Sequence, residues 1–421
     1  MRILMLSWEY PPVSHGGLAR HVQDLSEALV RKGIEVFVVT QGSAELPADE
    51  IINGVRVLRT IPVAVTANNF VEDILQLNFQ LLERALVLFR ELDNNLDIIH
   101  GHDWLVFWAS KVLKHSFTTP LIYTIHATEF GRNQGIYNDM QRYINDLEWY
   151  ASFEAWKLIV CSQYMNNEVR NLFQVPEDKA VVIGNGVNEE NYRGDSSPAY
   201  RDFYASPDED IVFYVGRIVR EKGIQVLIQA IPEILKTNPK TKFVIAGKGP
   251  YLDNLRSLAE YLGVAERVYF TGFISDRERN NLYRIADVAV FPSLYEPFGI
   301  VALEAMVTRT PVIVSEVGGL AEFVRDGENG LTVKPNDPQQ LAEKIRFLLN
   351  NKERAREMAS RAYEIVKRDF TWDEIANKTL AVYEEVIAEY RKSGWSRKKK
   401  VIERREDREE FIHRYAGITV K

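Results

Sequence analysis

Short apolar runs alternate with amphipathic helical windows along almost the whole sequence. In the first half, the runs that fit buried strands are RILMLS, EVFVVT, DIIHG, PLIYTI, KLIVCS and AVVIG. The windows between them place apolar residues three and four positions apart, as in LARHVQDLSEALVRKG, which ends at Gly33. This alternation predicts a doubly wound α/β unit with a mostly parallel sheet.

The alternation stops once and then starts again. Residues Asn188 to Asp210 are polar, with few branched apolar side chains, and this composition predicts a linker. Beyond it, IVFYVG, KFVIAG, VYFTG, VAVFPS, PVIVS and GLTV predict a second set of strands. The chain of 421 residues exceeds the length at which one core stops growing. We therefore expect two Rossmann-like domains, residues 1–190 and 191–370, that face each other across a ligand-binding cleft.

The C-terminal part of the sequence predicts one more helix and a charged tail. Thr371 fits the N-cap of a helix over residues 371–391, and Glu374 stands where a capping box places its acid. Residues 392–421 are rich in both charges. A solvated helix or disordered segment is one interpretation of this tail, and a contact for oligomers or an anionic surface is the other.

The bulk composition excludes several classes of protein. A net charge of −7 argues against a broad nucleic-acid surface. A single cysteine, Cys161, excludes a disulfide framework and a cysteine metal cluster. The N-terminal run lacks the features of a signal peptide, and no apolar stretch approaches the ~20 residues that span a bilayer. We expect a cytoplasmic protein with no integral membrane segment.

Two glycines and three polar residues follow strands of the first domain. Gly16 and Gly17 open a helix, where backbone N–H groups can approach an anion, although a plain strand–helix turn also favours glycine. His102 and Asp103 stand where a strand ends. His126 ends another strand, at the sheet edge where site residues collect, and a hydrogen-bonded core histidine is the alternative.

The HGHDW stretch raises the question of a metal, because His100 and His102 alternate. A zinc site needs three or four ligands, and no cysteine lies nearby. We therefore expect no metal site here. Asp103 fits equally well as the N-cap of the helix that follows.

Charged residues follow two strands of the second domain. Arg217 and Lys222 stand between a strand and a helix, which suits a phosphate clamp, although a solvated charged turn has the same composition. Glu296 and Glu304 flank Gly299 and an apolar helical run. Carboxylates accept hydrogen bonds from paired sugar hydroxyls, and Glu296 is also suited to the positive end of the helix dipole.

Taken together, these stretches resemble the retaining glycosyltransferases of GT-B fold that include glycogen synthase and sucrose-phosphate synthase. The motifs GRIVREKG and EPFGIVALEAM, in this order, carry most of the resemblance, which extends from the glycine loop to the FTW helix. It implies that helix 371–391 crosses back to the first domain. His15 departs from the lysine that bacterial glycogen synthases commonly have there, and this leaves the donor base and the acceptor open.

The resemblance also implies roles for the charged residues. Glu296 is expected to contact hydroxyls of the donor sugar, and Glu304 the ribose hydroxyls of the nucleotide. Arg217 and Lys222 match the cationic pair on the diphosphate. His126 matches the histidine beside the transferred sugar.

The remaining matches lie in loops around the expected cleft. Asp103 falls in the matching acidic loop, and Gly16 and Gly17 match the loop that closes over the donor. The N–H groups expected to help hold the sugar and phosphates are those around Phe298, Gly299 and Ile300.

The expected function is retaining transfer of a hexose, with glucose favoured, from ADP-glucose or UDP-glucose to a glucan or other sugar. No cofactor or metal is expected, and the acidic string Asp208–Asp210 is interpreted as incidental. The aromatic residues Trp8, Tyr10, Trp104 and Trp108 suit sugar rings, or they fill the core. The alternatives are transfer to a lipid or sugar phosphate, a non-catalytic nucleotide-sugar-binding protein, and an epimerase.

Overall fold

The computed structural model describes residues 1–14, 16–61 and 65–396, so His15 and the tail from residue 397 lie outside the described residues. The first sheet and its helices come from the N-terminal half of the chain. In chain order they are β1 Arg2–Ser7, α1 Gly17–Arg31, β2 Glu35–Thr40, β3 Asp49–Ile52, β4 Val55–Arg59, α2 Phe70–Glu91, β5 Ile98–His102, α3 Phe107–Phe117, β6 Leu121–Ile125, α4 Glu129–Asn133, α5 Asp139–Glu154, β7 Lys157–Val160, α6 Gln163–Phe173 and β8 Ala180–Val182.

The second sheet and its helices follow. They are α7 Pro198–Arg201, β9 Asp210–Val215, α8 Ile224–Leu235, β10 Thr241–Ala246, α9 Leu252–Tyr261, β11 Val268–Gly272, α10 Asp276–Ile285, β12 Val288–Phe291, α11 Ile300–Val307, β13 Val312–Ser315, α12 Leu320–Phe323, β14 Leu331–Val333, α13 Pro338–Asn350, α14 Lys352–Asp369 and α15 Trp372–Lys392. None of the helices described is long and apolar enough to cross a membrane.

Both sheets have the strand order of doubly wound domains. The first runs β3-β4-β2-β1-β5-β6-β7-β8 and the second β11-β10-β9-β12-β13-β14. Every described pair is parallel except β3 with β4. Helices cover both faces, so strands such as β5 and β6 are buried throughout and appear in the sequence as continuous apolar runs. The prediction of two Rossmann-like domains is confirmed.

One hairpin departs from the strand–helix alternation. β3 and β4 pair antiparallel across Asn53 and Gly54, whose φ angles are 49° and 86°. A two-residue turn with both φ angles positive matches the twist of the strands it joins, and Asn-Gly is favoured there. The hairpin lies at the edge of the first sheet, away from the cleft.

Helix α15 ties the end of the chain back to the first domain. Its N-cap is Thr371, whose hydroxyl accepts a hydrogen bond from the Glu374 N–H at 3.3 Å. The helix packs along α1, where Arg31 pairs with Asp373 at 3.0 Å. The Tyr383 hydroxyl lies 2.7 Å from Nδ1 of the buried His100. The last helix therefore contributes to the layer beneath the cleft.

The loop after β12 brings the second domain against the first. The Ser162 hydroxyl, at the start of α6, donates to the Pro297 carbonyl at 2.6 Å. The Tyr295 hydroxyl accepts from the Thr128 N–H at 3.3 Å. These contacts place the carboxyl ends of β6, β7 and β12 together, which is where ligands bind in open α/β sheets.

Candidate active site

Three buried histidines and the half-buried His126 lie together on the first domain's side of the cleft. His100 and His102 are on β5, His126 follows β6, and His21 is on α1. His102 Nδ1 lies 3.3 Å from His126 Nε2, and the His21 ring meets the His126 ring edge-on at a centroid distance of 4.5 Å. Burial lowers the pKa of His126 to about 3 and the pKa of the other three well below the ordinary value. All four rings are therefore neutral near pH 7.

Asp103 holds the backbone that carries His126. Its carboxylate accepts a hydrogen bond from the His126 N–H at 2.8 Å, and its own φ is 58°, a conformation that costs energy for a residue other than glycine. Burial raises the pKa of Asp103 to about 6. Asp103 occupies the N-cap position of the short helix Trp104–Val106, as one interpretation of the sequence expected, but its side chain makes no cap hydrogen bond there. The β6–α4 loop takes the hydrogen bond instead.

On the second domain's side, Lys222 and Glu296 form a close ion pair. Their Nζ and Oε2 atoms lie 2.6 Å apart, and the Ser293 hydroxyl donates to the same carboxylate oxygen at 3.2 Å. The Lys222 side chain is 20% exposed and that of Glu296 is 9% exposed. Arg217 lies further out, with 52% of its side chain exposed and a 3.5 Å pair to Glu221. The cation pair thus has one half-buried and one exposed member.

Gly299 is required by the turn that aims α11 at the cleft. Its φ is 101°, and a Cβ there would lie 2.4 Å from Leu320 Cδ2. The helix begins without a side-chain cap hydrogen bond, and Glu296 lies beside its start, since a Cβ on Gly299 would be 3.4 Å from Glu296 Cγ. Gly17 faces this helix from the other domain, since a Cβ on it would lie 3.4 Å from Ile300 Cδ1. The glycine loop and α11 therefore approach each other across the cleft.

Phe298 contributes its backbone rather than its ring. The ring is buried and lies 5.4 Å from the Phe323 ring and 6.2 Å from the Phe370 ring. A Cβ on Gly184 of the first domain would lie 2.9 Å from it. The ring thus packs between the two domains. Of Phe298, only the backbone N–H is suited to the expected role of holding the sugar and phosphates.

Glu304 is surrounded by groups that sequence reasoning missed. Its carboxylate accepts hydrogen bonds from the hydroxyls of Tyr192 at 2.9 Å and Tyr283 at 3.1 Å. Arg20 of α1 lies 3.9 Å away and also pairs with Asp276 at 2.8 Å. Tyr192 comes from the polar segment between the sheets. A ribose that binds Glu304 must share this carboxylate with these partners or displace them.

The structure brings most of the predicted site residues to one cleft. Lys222, Glu296, Gly299 and Ile300 lie on one side, and His126, Asp103, Gly16 and Gly17 on the other. Cys161 lies between the two sides. Its thiol contacts the His126 carbonyl at 3.8 Å, and burial together with the charges of Asp103 and Glu296 raises the pKa of this thiol. Arg217 lies at the exposed edge of the cleft, whereas the Glu304 carboxylate is buried and hydrogen-bonded to the hydroxyls of Tyr192 and Tyr283.

The predicted aromatic face for sugars is wrong for two of its four members. Tyr10 is fully buried and Trp104 is 5% exposed, so both fill the core. Trp108 donates to the Tyr143 hydroxyl at 3.2 Å. Trp8 packs edge-on against Phe70, with ring centroids 6.1 Å apart. The apolar pattern alone did not distinguish rings inside the domain from rings at its surface.

The acidic string Asp208–Asp210 lies away from the cleft and is paired with basic side chains. Asp208 pairs with Lys240, Glu209 lies 3.3 Å from Arg267, and Asp210 lies 2.6 Å from Lys352. These ion pairs account for the three acids without a metal.

Two facing Rossmann-like domains with this cleft define a glycosyltransferase of GT-B fold. The family model described as Glycosyl transferases group 1 matches residues 197–365, and the one described as Glycosyltransferase Family 4 matches residues 15–191. The chain belongs to this group 1 glycosyltransferase family.

Whole-chain relatives agree with this assignment. The chain is 38% identical over 396 residues to an uncharacterized glycosyltransferase of Methanocaldococcus jannaschii, with 91% of this chain and 98% of that protein covered. It is 36% identical over 397 residues to a glycogen synthase of Mycobacterium tuberculosis, with 91% and 94% covered. Sucrose-phosphate synthase from Thermosynechococcus elongatus superposes with a TM-score of 0.80 at 28% identity, with 92% and 99% covered.

Proposed function

We propose that this glycosyltransferase moves a glucosyl residue from ADP-glucose or UDP-glucose to a glucan or other sugar acceptor, with retention at the anomeric carbon and without a divalent metal. The observation that carries the proposal is the Lys222–Glu296 pair at 2.6 Å, next to Tyr295, whose hydroxyl contacts the loop after His126 at the Thr128 N–H. A cation and a sugar-binding carboxylate in contact place the diphosphate and the sugar of one donor side by side.

The proposed reaction requires this site to stabilise a leaving group. When the bond between the sugar and the diphosphate breaks, negative charge grows on the β-phosphate. Lys222, Arg217 and the N–H groups at the start of α11 are placed to receive that charge as it develops. These groups perform the task that a divalent metal performs in other sugar transferases, so no metal step is needed.

Retention without a covalent intermediate fits the residues at the sugar position. A double displacement needs a free carboxylate beside the anomeric carbon. Glu296 is engaged by Lys222 and Ser293, and Asp103 is engaged by the His126 backbone. We therefore favour attack from the same face as the departing diphosphate, which accepts the proton of the acceptor hydroxyl. His126, neutral and next to this position, orients a sugar hydroxyl.

A neutral sugar is favoured over a sugar phosphate as acceptor. Arg132 is the cation beside the His126 loop, and an anionic acceptor would have to pair with it. Burial disfavours the charge of Arg132, but the carboxyl groups of Asp103, Glu148 and Glu129 outweigh it and raise the Arg132 pKa. The Arg132 charge is thus already matched from within the domain, and among the residues described in the His126 loop and α4 this cation is not available to a phosphate.

The acceptor class is tested with labelled donors. The full chain is incubated with radiolabelled ADP-glucose or UDP-glucose and, in parallel, a glucan primer, a small sugar phosphate or a lipid extract. We expect label in the glucan or neutral sugar fraction. Label confined to the lipid or sugar-phosphate fraction would refute the acceptor assignment and leave the transferase assignment intact. Free hexose as the sole product, with every acceptor, would refute both.

A further inference from the structure

Three histidine rings of the cleft wall converge on one point. One ring nitrogen from each of His21, His102 and His126 lies within 4.8 Å of the other two. The sequence placed His102 beside His100, but the nitrogens of His100 are used by Tyr383 and Thr124, both at 2.7 Å. The converging set therefore takes one histidine each from α1, β5 and the loop after β6.

Two nitrogens of this cluster have no hydrogen-bond partner. Nε2 of His21 and Nε2 of His102 are buried and unpaired. A buried polar atom without a partner is unfavourable, and a bound water or ion is a common explanation for one. The lone pair of His21 Nε2 is therefore available to an occupant of the cluster.

We propose that His21, His102 and His126 form a binding site for a divalent transition-metal ion of the Zn²⁺ type, and that an ion bound there blocks sugar transfer. Imidazole nitrogen is the ligand such ions prefer among neutral side chains. Three protein ligands leave the fourth position for water, and His126 is the half-buried member through which the cleft reaches the cluster. The binding half of the proposal stands on geometry alone, whereas the inhibition half rests on the proposed function.

The distances suit a small ion. Tetrahedral zinc with Zn–N bonds of about 2.0–2.1 Å sets its ligand nitrogens about 3.3 Å apart. His102 Nδ1 and His126 Nε2 already have that separation, 3.3 Å. Without metal the same pair shares a hydrogen bond. With metal, the His102 proton moves to Nε2 through solvent, so the ring stays neutral and no net proton is released.

The third ligand is already oriented. His21 Nδ1 lies 2.5 Å from Asn185 Oδ1, a distance that places the proton on Nδ1 and leaves the Nε2 lone pair available. A metal-binding histidine usually donates its other N–H to a carbonyl or carboxylate in this way. The His21 nitrogen lies within 4.8 Å of the other two and must approach to about 3.3 Å to join a tetrahedral ion.

Blocking follows from the identity of the third histidine. His126 is the ring predicted to orient the donor sugar, and a metal on it holds the lone pair and the ring position. The same His126 ring would therefore serve catalysis when no metal is bound and cause inhibition when a metal is bound. A chelator is expected to leave the basal rate unchanged and to reverse inhibition by zinc.

The experiment uses the full chain, stripped with a chelator and titrated with ZnCl₂ by calorimetry, with Co²⁺ absorption as a second probe. We expect one ion per chain. His21→Phe and His102→Phe, which keep a ring of similar shape, should each weaken zinc binding by at least about tenfold. His115→Asn removes a half-exposed histidine that pairs with Glu154 elsewhere, and should leave binding unchanged.

Each outcome of these titrations either supports or contradicts the metal site. Absence of stoichiometric binding in the wild type would show that water fills the cluster and would overturn the proposal. Equal affinities in wild type and both phenylalanine variants would do the same. If neither variant folds, zinc-edge X-ray absorption of the wild-type complex decides, because three imidazoles are expected and fewer contradict the site. Binding that persists in a chain with no transferase activity would refute the proposed function but not the site.

Discussion

The two walls of the cleft come from domains of the same architecture but differ in charge: one presents neutral side chains and the other charged pairs. The first domain presents His21, His102 and His126, which are uncharged near pH 7 because they are buried. The second presents charges in pairs, Lys222 with Glu296 and Arg217 with Glu221. Sugar hydroxyls need neutral donors and acceptors, whereas a departing diphosphate needs positive charge. Under the proposed function, the first wall binds the sugar and the second the diphosphate, so one fold divides these two tasks between its halves.

Removing a cation from the second wall should have the largest effect. Lys222→Ala is expected to lower kcat/KM by about two to four orders of magnitude, because it removes charge stabilisation of the leaving diphosphate and leaves Glu296 unpaired. Arg217→Ala should act in the same direction. Arg220→Ala, an exposed cation in the same turn, is the matched control and should retain near wild-type kcat/KM. Similar losses in all three variants would mean that the wall acts only by net charge.

The two glutamates should divide nucleotide from sugar. Glu304→Ala is expected to weaken binding of free ADP or UDP by about 10- to 100-fold, since it removes a charged hydrogen-bond acceptor. Glu296→Ala should leave the affinity for free diphosphate within a few-fold of the wild type and lower kcat for the sugar nucleotide. Calorimetry with the diphosphate and steady-state rates separate the two. Equal losses of diphosphate affinity would contradict this division.

The contact between the walls at Arg20 gives a smaller, structural prediction. Arg20 reaches from α1 to Asp276 at 2.8 Å and to Glu304 at 3.9 Å. Arg20→Ala should release this link, so the radius of gyration without ligand should rise and diphosphate should restore the compact value. Small-angle scattering of the variant and of Arg31→Ala, which removes the pair between α1 and the C-terminal helix α15, measures this. Identical profiles for both variants would show that Arg20 does not hold the domains together.

The smallest predicted effect is a pH dependence of the stability of the fold, which arises from Asp24, a neighbour of Arg20 on α1. Burial raises the pKa of Asp24 on α1 to about 7, while the charge of Arg20 opposes the shift. Because the folded pKa lies above the unfolded one, Asp24 stabilises the fold fully below about pH 4, and this contribution is lost as pH rises through 7. Asp24→Asn should therefore gain stability relative to wild type between pH 5 and 8. Urea unfolding at both pH values checks it, and a difference that does not change with pH would contradict it.

The sequence predicted the two walls better than their connections. The apolar runs located β5, which ends at His102, and β6 and β9, which lead to His126 and Lys222, because parallel strands are buried on both faces. The hairpin at Asn53–Gly54 was missed even though its turn has a recognisable signal. An alternation search does not detect two strands joined without a helix.

What the sequence could not provide were contacts between distant segments. Asp103 bonds a backbone N–H that is 23 residues away, and no spacing rule predicts that acceptor. Glu304 meets Tyr192, Tyr283 and Arg20 only because three elements fold against α11. The roles assigned to Glu296 and Glu304 from resemblance remain predictions, which the glutamate variants address.

The most direct test of the central claim is a proton NMR time course of the full chain with UDP-glucose or ADP-glucose and a glucan primer, in the presence of a chelator. The account predicts a new α-anomeric signal from glucose joined to the acceptor, growing as the donor signal falls. A β-anomeric product would contradict front-face attack. Loss of all transfer in the chelator, restored by a divalent ion, would contradict the assignment of leaving-group stabilisation to Lys222, Arg217 and the start of α11.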